Sequence, residues 1–291
     1  MVKLFIIRLT VIDFSILVEE VGLIGESLMV NIFLDGELRL ESMNVVLSVA
    51  KKTINRVVDY FIYHALIFPA GNGNVQVEPS KNNTTVCIIQ PSGLLKFFVS
   101  TPNCIFLWLP STGITVRGLG HVIEKDILSW LPDEIDIVEV PLEPEAFNGA
   151  YYNYSHGLKK HDGNCQRISH GHRSAIHIYV EEQHSLKMEG CWAVRWNSTY
   201  LVTAEDIVSV GQLSTAGGAL WHSDLISSAY YGTHGSFELL TIKENTDILP
   251  GDTTVGSLVL YVHKKTRSHL PAVKLEVHAF EGIDKGAIAT C

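Results

Sequence analysis

The run from His170 to Val180, HGHRSAIHIYV, restricts the fold more than any other part of the chain. After His172 its polarity alternates. Ser174, Ile176, Ile178 and Val180 share one face with His172, while Arg173, His177 and Glu181 share the other. A period of two predicts a half-buried β-strand. His170 and His172 stand two apart, so both imidazoles leave that strand on one side.

Two imidazoles on one strand face, with His156 upstream, can offer three nitrogens to zinc. Three protein ligands leave the fourth tetrahedral position for water or substrate, which is the catalytic arrangement. A chain with 13 histidines sets some of them close together by chance, so the added His156 and Cys165 carry much of the weight. A thiol near a dication can ionise at lower pH and act as a base. Spacing alone leaves open a structural site, or Cys165 as a ligand.

The order Ser155-His156-Gly157-Leu158, then Cys165, then His170-Gly171-His172 resembles the 6-pyruvoyltetrahydropterin synthase family. It is most similar to the bacterial branch, the 6-carboxytetrahydropterin synthases of queuosine biosynthesis. The resemblance implies that His156, His170 and His172 bind zinc and that Cys165 is the catalytic base. It also implies an α+β fold, the tunnelling fold, in which ββααββ units pack antiparallel sheets into a barrel with helices outside.

A length of 291 residues suits two such units of about 140 each. With 46% hydrophobic and 18% charged residues the chain can bury a core. A net charge of −9 argues against a nucleic-acid partner, though a local basic pocket for a triphosphate is compatible with it. Five cysteines, odd in number and irregularly spaced, read as free thiols in a reducing, cytoplasmic setting. The apolar N-terminus is interrupted by Arg8 and Asp13, which argues for a buried strand and against a signal or membrane span.

Along the chain, strands are predicted over residues 3–18 and 26–38, with a turn at Gly22 to Gly25. A helix follows over 45–64, its apolar stripe carrying Val49, Ile54, Val57, Val58, Phe61 and Ile62. Residues 84–109 read as β-rich, 118–130 as a helix and 135–142 as a strand. The second half repeats this order, with strands near 151–156 and 172–182, a helical region at 192–209 and a strand at 235–242. A helix over 253–266 and a last strand over 273–280 close the chain. The domain boundary is expected within 143–150, giving a first domain at 1–147 and a zinc-binding second at 148–291. At a constant offset between the halves, Gly25 falls on Gly171, and Ile24 and Glu26 fall on His170 and His172. The first copy therefore lacks the metal ligands. Two copies in one chain form a built-in dimer of domains, and barrel closure implies a homo-oligomer.

In the family the site lies at a subunit interface, where an Asp-His pair comes from the neighbour. The first half offers Tyr63-His64 at the matching helix end, so His64 is the candidate catalytic partner of Cys165, with Tyr63 in the place of Asp. Asp59, four residues earlier, can substitute for that carboxylate. The family also holds the pterin ring with a Glu at the end of a unit's last strand. That implies Glu281 in the second half or Glu143 in the first as substrate-binding residues. Asp252-Thr253-Thr254 matches part of a helix-start feature, with Gly256 where the family has Glu. Lys159 and Lys160 are candidate triphosphate contacts. The implied reaction is conversion of 7,8-dihydroneopterin triphosphate to 6-carboxytetrahydropterin, acetaldehyde and triphosphate. The alternatives are 6-pyruvoyltetrahydropterin synthesis and a zinc-containing pterin-binding protein without turnover.

Overall fold

Alternating sequence at the head of the chain produces a long antiparallel hairpin, β1 (Leu4–Val18) with β2 (Gly22–Gly36). The computed structural model describes residues 3–36, 43–69, 71, 73–109, 111, 113–213 and 223–290. After the hairpin come α1 (Met43–Phe61), β3 (Leu66–Pro69), β4 (Val75–Pro79), β5 (Asn83–Ile89), β6 (Leu95–Pro102) and β7 (Phe106–Leu109). The half ends with α2 (Val116–Leu128), β8 (Ile135–Glu139) and β9 (Leu142–Pro144). Its sheet runs β7-β3-β1-β2-β8, with β9 beside β2, and β3 parallel to both β1 and β7.

The second half repeats the plan. It has β10 (Tyr151–His156), β11 (His170–Val180), β12 (Gln183–His184), α3 (Leu186–Arg195), β13 (Thr199–Thr203), β14 (Leu225–Gly232) and β15 (Gly235–Ile242). It closes with β16 (Thr246–Leu249), α4 (Val255–His269), β17 (Leu275–Phe280) and β18 (Gly286–Thr290). Here the order is β16-β13-β10-β11-β17-β18, again with parallel β10, β13 and β16. Register repeats as well as order. Ser15 faces Gly25 in the first hairpin, and Ser155 faces Gly171 in the second. Equivalent threonines cap the second helix of each half: Thr115 accepts from Gly118 N and Thr254 from Ser257 N.

The halves are joined by sheet and by core. β6 and β15 pair edge to edge, with Val99 opposite Leu239, so β14-β15-β6-β5-β4 is one five-stranded sheet drawn from both halves. One core lies between the first sheet and its helices (Ile12, Ile54, Val58, Ile123) and another between the second sheet and its helices (Ile176, Trp196, Leu258, Val262). A third core is shared: Leu17, Phe68 and Val99 pack with Tyr200, Phe237 and Leu239. The hairpins also touch directly. A Cβ on Gly171 would lie 2.5 Å from Gly25 Cα, and one on Gly25 would lie 2.0 Å from Tyr154 O. Ser15 Oγ and Ser155 Oγ share a buried 2.7 Å hydrogen bond at the same crossing.

Several expected boundaries move. The first turn falls at residues 19–21, and Gly25 sits inside β2 because the other hairpin needs the room of its missing side chain. Val49 is 43% exposed and lies off the apolar stripe of α1. The helical region expected at 192–209 is α3, which ends at Arg195, followed by β13; Tyr200, Leu201 and Val202 are buried there as a central strand. β17 is not the last strand, since β18 pairs with it. No helix among the described residues is long and apolar enough to cross a membrane.

Replacing Gly171 by Ala drives a methyl group into the crossing. We expect it to lower the free energy of unfolding by about 1–3 kcal/mol in urea titration, and Gly190→Ala, inside α3 where the added Cβ meets nothing, to leave it unchanged or raise it by up to about 1 kcal/mol.

Candidate metal and catalytic centre

Four buried histidines meet where the hairpins cross. His156 ends β10, and His170 and His172 open β11 directly opposite, with His156 paired to His170 and Tyr154 to His172. His64 arrives from the first half, on the connection between α1 and β3. Its ring lies 4.2 Å from that of His170 and 6.0 Å from that of His172, centroid to centroid. The His156 ring is 4.2 Å from His170 and 5.3 Å from His172. His64 holds φ at 63°, a left-handed conformation that costs a non-glycine residue about 1–3 kcal/mol. Ser198, at the same point of the second half, has φ 54°, so the reversal belongs to the repeated fold and the histidine is particular to the first copy.

The nitrogens divide by role. His156 Nδ1 is 2.9 Å from Thr253 Oγ1, and His170 Nδ1 is 2.9 Å from the Arg167 carbonyl. The Nε2 atoms of His156, His170 and His172, and both nitrogens of His64, are buried without a hydrogen-bond partner. Fixing Nδ1 and freeing Nε2 is the second-shell arrangement of metal-binding histidines. Burial, reinforced by the neighbouring imidazoles, pulls the pKa of His64, His156 and His170 well below the usual histidine value, so these rings are neutral at pH 7 with lone pairs available. These residues fit a zinc ion.

The expected trio is shared between two sets of converging donors. His64, His170 and His172 form one; His156, His172 and Glu281 form the other; the ligand atoms of each lie within 4.8 Å of one another. His172 belongs to both.

Cys165 sits on the loop between β10 and β11, half-buried in a short 3-10 turn. Gln166 and Arg167 hold that loop. The Gln166 carbonyl accepts from Tyr230 Oη at 2.6 Å, and buried Arg167 donates to Tyr63 O at 2.8 Å. Burial pushes the Cys165 thiol up, and the Glu281 charge pushes it further, against Lys285. The protein alone therefore disfavours the thiolate. Glu281 follows β17 and pairs with Lys285 Nζ at 2.9 Å, its side chain 14% exposed. Burial is the largest influence on Lys285 and opposes its charge, but Glu281, helped by Asp13 and Cys165, more than offsets it and keeps the ammonium protonated.

Asp13 was not singled out as a site residue, yet it is buried in this cluster. Its carboxylate lies 3.2 Å from His172 Nδ1 and accepts from Ser27 Oγ, and its carbonyl accepts from His64 N at 2.6 Å. Arg167, Thr253 and Lys285 were also missed in these roles. The one available signal was Asp13 itself, a charge inside an apolar strand.

Other expected residues stay outside. Glu143 lies exposed on β9 opposite Met29, so of the two candidate anchors only Glu281 joins the histidines. Asp59 does not orient His64, whose ring nitrogens have no partner; Tyr63 stacks on that ring at 3.9 Å instead. Lys159 pairs with Asp206 and Glu205, and Lys160 with Glu205, so both lysines are already neutralised by the chain's own carboxylates.

No family model matches the chain, and no curated protein matches it in sequence. Among solved structures it is similar to a catalytic-residue mutant of Plasmodium vivax 6-pyruvoyltetrahydropterin synthase at 14% identity and a TM-score of 0.39, covering 49% of this chain and 91% of that one. A second Plasmodium vivax 6-pyruvoyltetrahydropterin synthase structure matches at 12% identity and TM-score 0.37, over 50% and 93%. The Plasmodium falciparum 6-pyruvoyl tetrahydropterin synthase matches at 14% and 0.35, over 48% and 90%. Each match spans one half's worth of a chain whose two halves share a strand order.

Two outcomes check the centre. Thr253→Val, which removes the partner of His156 Nδ1, should weaken zinc binding about 10–100-fold in competition with a chromophoric chelator. In chelator-treated protein, alkylation of Cys165 should titrate above the free-cysteine pKa of about 8.5, because burial and Glu281 both disfavour the thiolate. Glu281→Gln, which removes one of the charges raising it, should move that midpoint down.

Proposed function

We propose that the chain is a zinc-dependent carbon–carbon lyase of the 6-pyruvoyltetrahydropterin synthase family, acting on 7,8-dihydroneopterin triphosphate. Within that family our reading is the 6-carboxytetrahydropterin synthase reaction of queuosine biosynthesis, releasing acetaldehyde and triphosphate. The carrying observation is the convergence of unpartnered, buried imidazole nitrogens with the Glu281 carboxylate, whose charge also reaches the Cys165 thiol.

His156, His170 and His172 would hold the zinc through Nε2, with Thr253 and the Arg167 carbonyl orienting the first two. A zinc ion held there would supply Lewis acidity toward bound hydroxyl oxygens, which would acidify an adjacent C–H. Cys165 Sγ accepts that proton as general base. His64, neutral through burial, takes or returns a proton at its ring nitrogen on the other side. The Glu281 carboxylate accepts from the 2-amino and N3 donors of the pterin, holding the ring at fixed distance from Cys165. A cavity of about 770 Å³ beside the Cys165 loop, lined by Lys52, Arg56, Arg167 and His234 among others, suits the triphosphate better than the neutralised Lys159 and Lys160.

In this reading one chain makes one site, because the first copy has Ile24 and Glu26 where the second has His170 and His172. Assembly with further copies is part of the proposal. The end strands of the two half-sheets each expose a large apolar residue: Trp108 on β7, Ile137 on β8, Ile248 on β16 and Ile288 on β18. Cytoplasmic residence accords with the free thiols Cys87, Cys165 and Cys191.

A second reading, pterin binding without turnover, is favoured by one observation. Tyr63, where the resemblance implies Asp, stacks on His64 and leaves both of its nitrogens without an orienting carboxylate. The test is incubation of zinc-loaded protein with dihydroneopterin triphosphate. Acetaldehyde and carboxypterin from wild type, with at least a 100-fold loss in Cys165→Ala, are expected for a general base. Pyruvoyl product would select the sister reaction. Tight pterin binding with no product would select the binding protein and sink the lyase reading.

A further inference from the structure

β11 carries a second histidine-carboxylate cluster on the face opposite His170 and His172. His177 points away from the first centre because it is an odd number of residues from both. The chain turns back after Val180 through Glu181 and Glu182, both at positive φ, and β12 sets His184 opposite Tyr179. Residue 184 is thus the diagonal cross-strand neighbour of residue 177, and the two rings lie 5.6 Å apart. α3 then begins at Leu186 and delivers Glu189 from its first turn.

Glu189 is the unusual member. It is a carboxylate with no exposed surface. Oε1 accepts from Ile178 N at 2.8 Å and lies 2.6 Å from His184 Nε2, while Oε2 is buried with no partner. Among the described residues no lysine or arginine forms an ion pair with it. His184 is the one basic side chain paired with it among those residues, and a buried acceptor left unpaired, here Oε2, calls for a cause. His177 Nδ1 is a second buried polar atom without a partner at the same place. Donor atoms of His177, His184 and Glu189 converge within 4.8 Å.

We propose that His177, His184 and Glu189 form a second site for a divalent transition metal, separate from the pterin centre. Two imidazoles and one carboxylate suit Zn²⁺, and Co²⁺ or Ni²⁺ in its place; a magnesium or calcium site would be built from oxygens. The cation supplies the charge that Glu189 lacks, through the free Oε2, and takes the lone pair of His177 Nδ1. His184, with a 41% exposed side chain, turns its ring from the carboxylate to the metal. The remaining position faces solvent on the His184 side. Because α3, β12 and β11 each give one ligand, the bound metal adds a tie between three segments already joined by strand pairing and by the packing of Trp192 on Ile176 and Ile178. The site does not depend on the lyase reading.

The test is metal stoichiometry of the full chain, loaded with Zn²⁺, dialysed and measured by elemental analysis. Wild type should carry two ions per chain, and the double variant His177→Gln/His184→Gln should carry one. Both histidines are partly exposed, so the variant keeps the core. Co²⁺ loading gives a second readout: the visible d–d absorption of wild type should fall by about half in the double variant. An ion count that is the same in wild type and the double variant overturns the proposal, whatever the first centre holds. Loss of lyase activity with the second ion still present would remove the lyase reading and leave this site standing.

Discussion

Everything at the centre depends on how closely two hairpins pass. Gly25 and Gly171 meet where any side chain would strike backbone, and Ser15 and Ser155 bond across the same point. With a Cβ at either glycine the strands would stand further apart. Asp13 would then leave His172, and the His64 ring would leave His170. The crossing uses equivalent residues from each copy, as a near-twofold contact between repeats must. The pairing of Val99 with Leu239 in the shared sheet is the same kind of contact.

A symmetric frame here carries an asymmetric site. The second copy keeps the paired histidines and the cysteine loop; the first contributes His64 and Asp13. Its own hairpin has Ile16, Ile24 and Glu26 at the positions of His156, His170 and His172, and the second copy has Ser198 at the position of His64. Each copy lacks what the other supplies to this cluster, so the cluster draws on both halves. Their shared core of Leu17, Phe68, Tyr200 and Phe237 makes the same point in packing terms.

The electrostatics of the centre follow from burial. Removing four imidazoles from water holds three of them neutral by clear desolvation and leaves their lone pairs to one another and to whatever cation enters. The same burial raises the Cys165 thiol, so nucleophilic or basic sulfur chemistry needs a positive charge the side chains do not provide in full. Lys285 supplies some of it but is engaged with Glu281. On the reverse face of β11 an analogous imbalance surrounds Glu189.

By itself the sequence determined the strand that presents His170 and His172, the repeat, the helices α1, α2 and α4, and the absence of the matching histidines from the first copy. These are local or periodic properties: alternation, helical spacing, and residue identity at a fixed offset. His64 was legible only through the resemblance, which implies an Asp-His pair at that helix end. Tertiary structure alone decided the rest. The strands β13, β14 and β16 carry weak local signals and exist because neighbours complete their ladders. Glu281 over Glu143, Asp13 beside His172, and Thr253 behind His156 are contacts between residues 97 to 159 positions apart in the case of the last two. No spacing rule spans such a distance. Only the approach of two glycines on separate hairpins brings those side chains into one place.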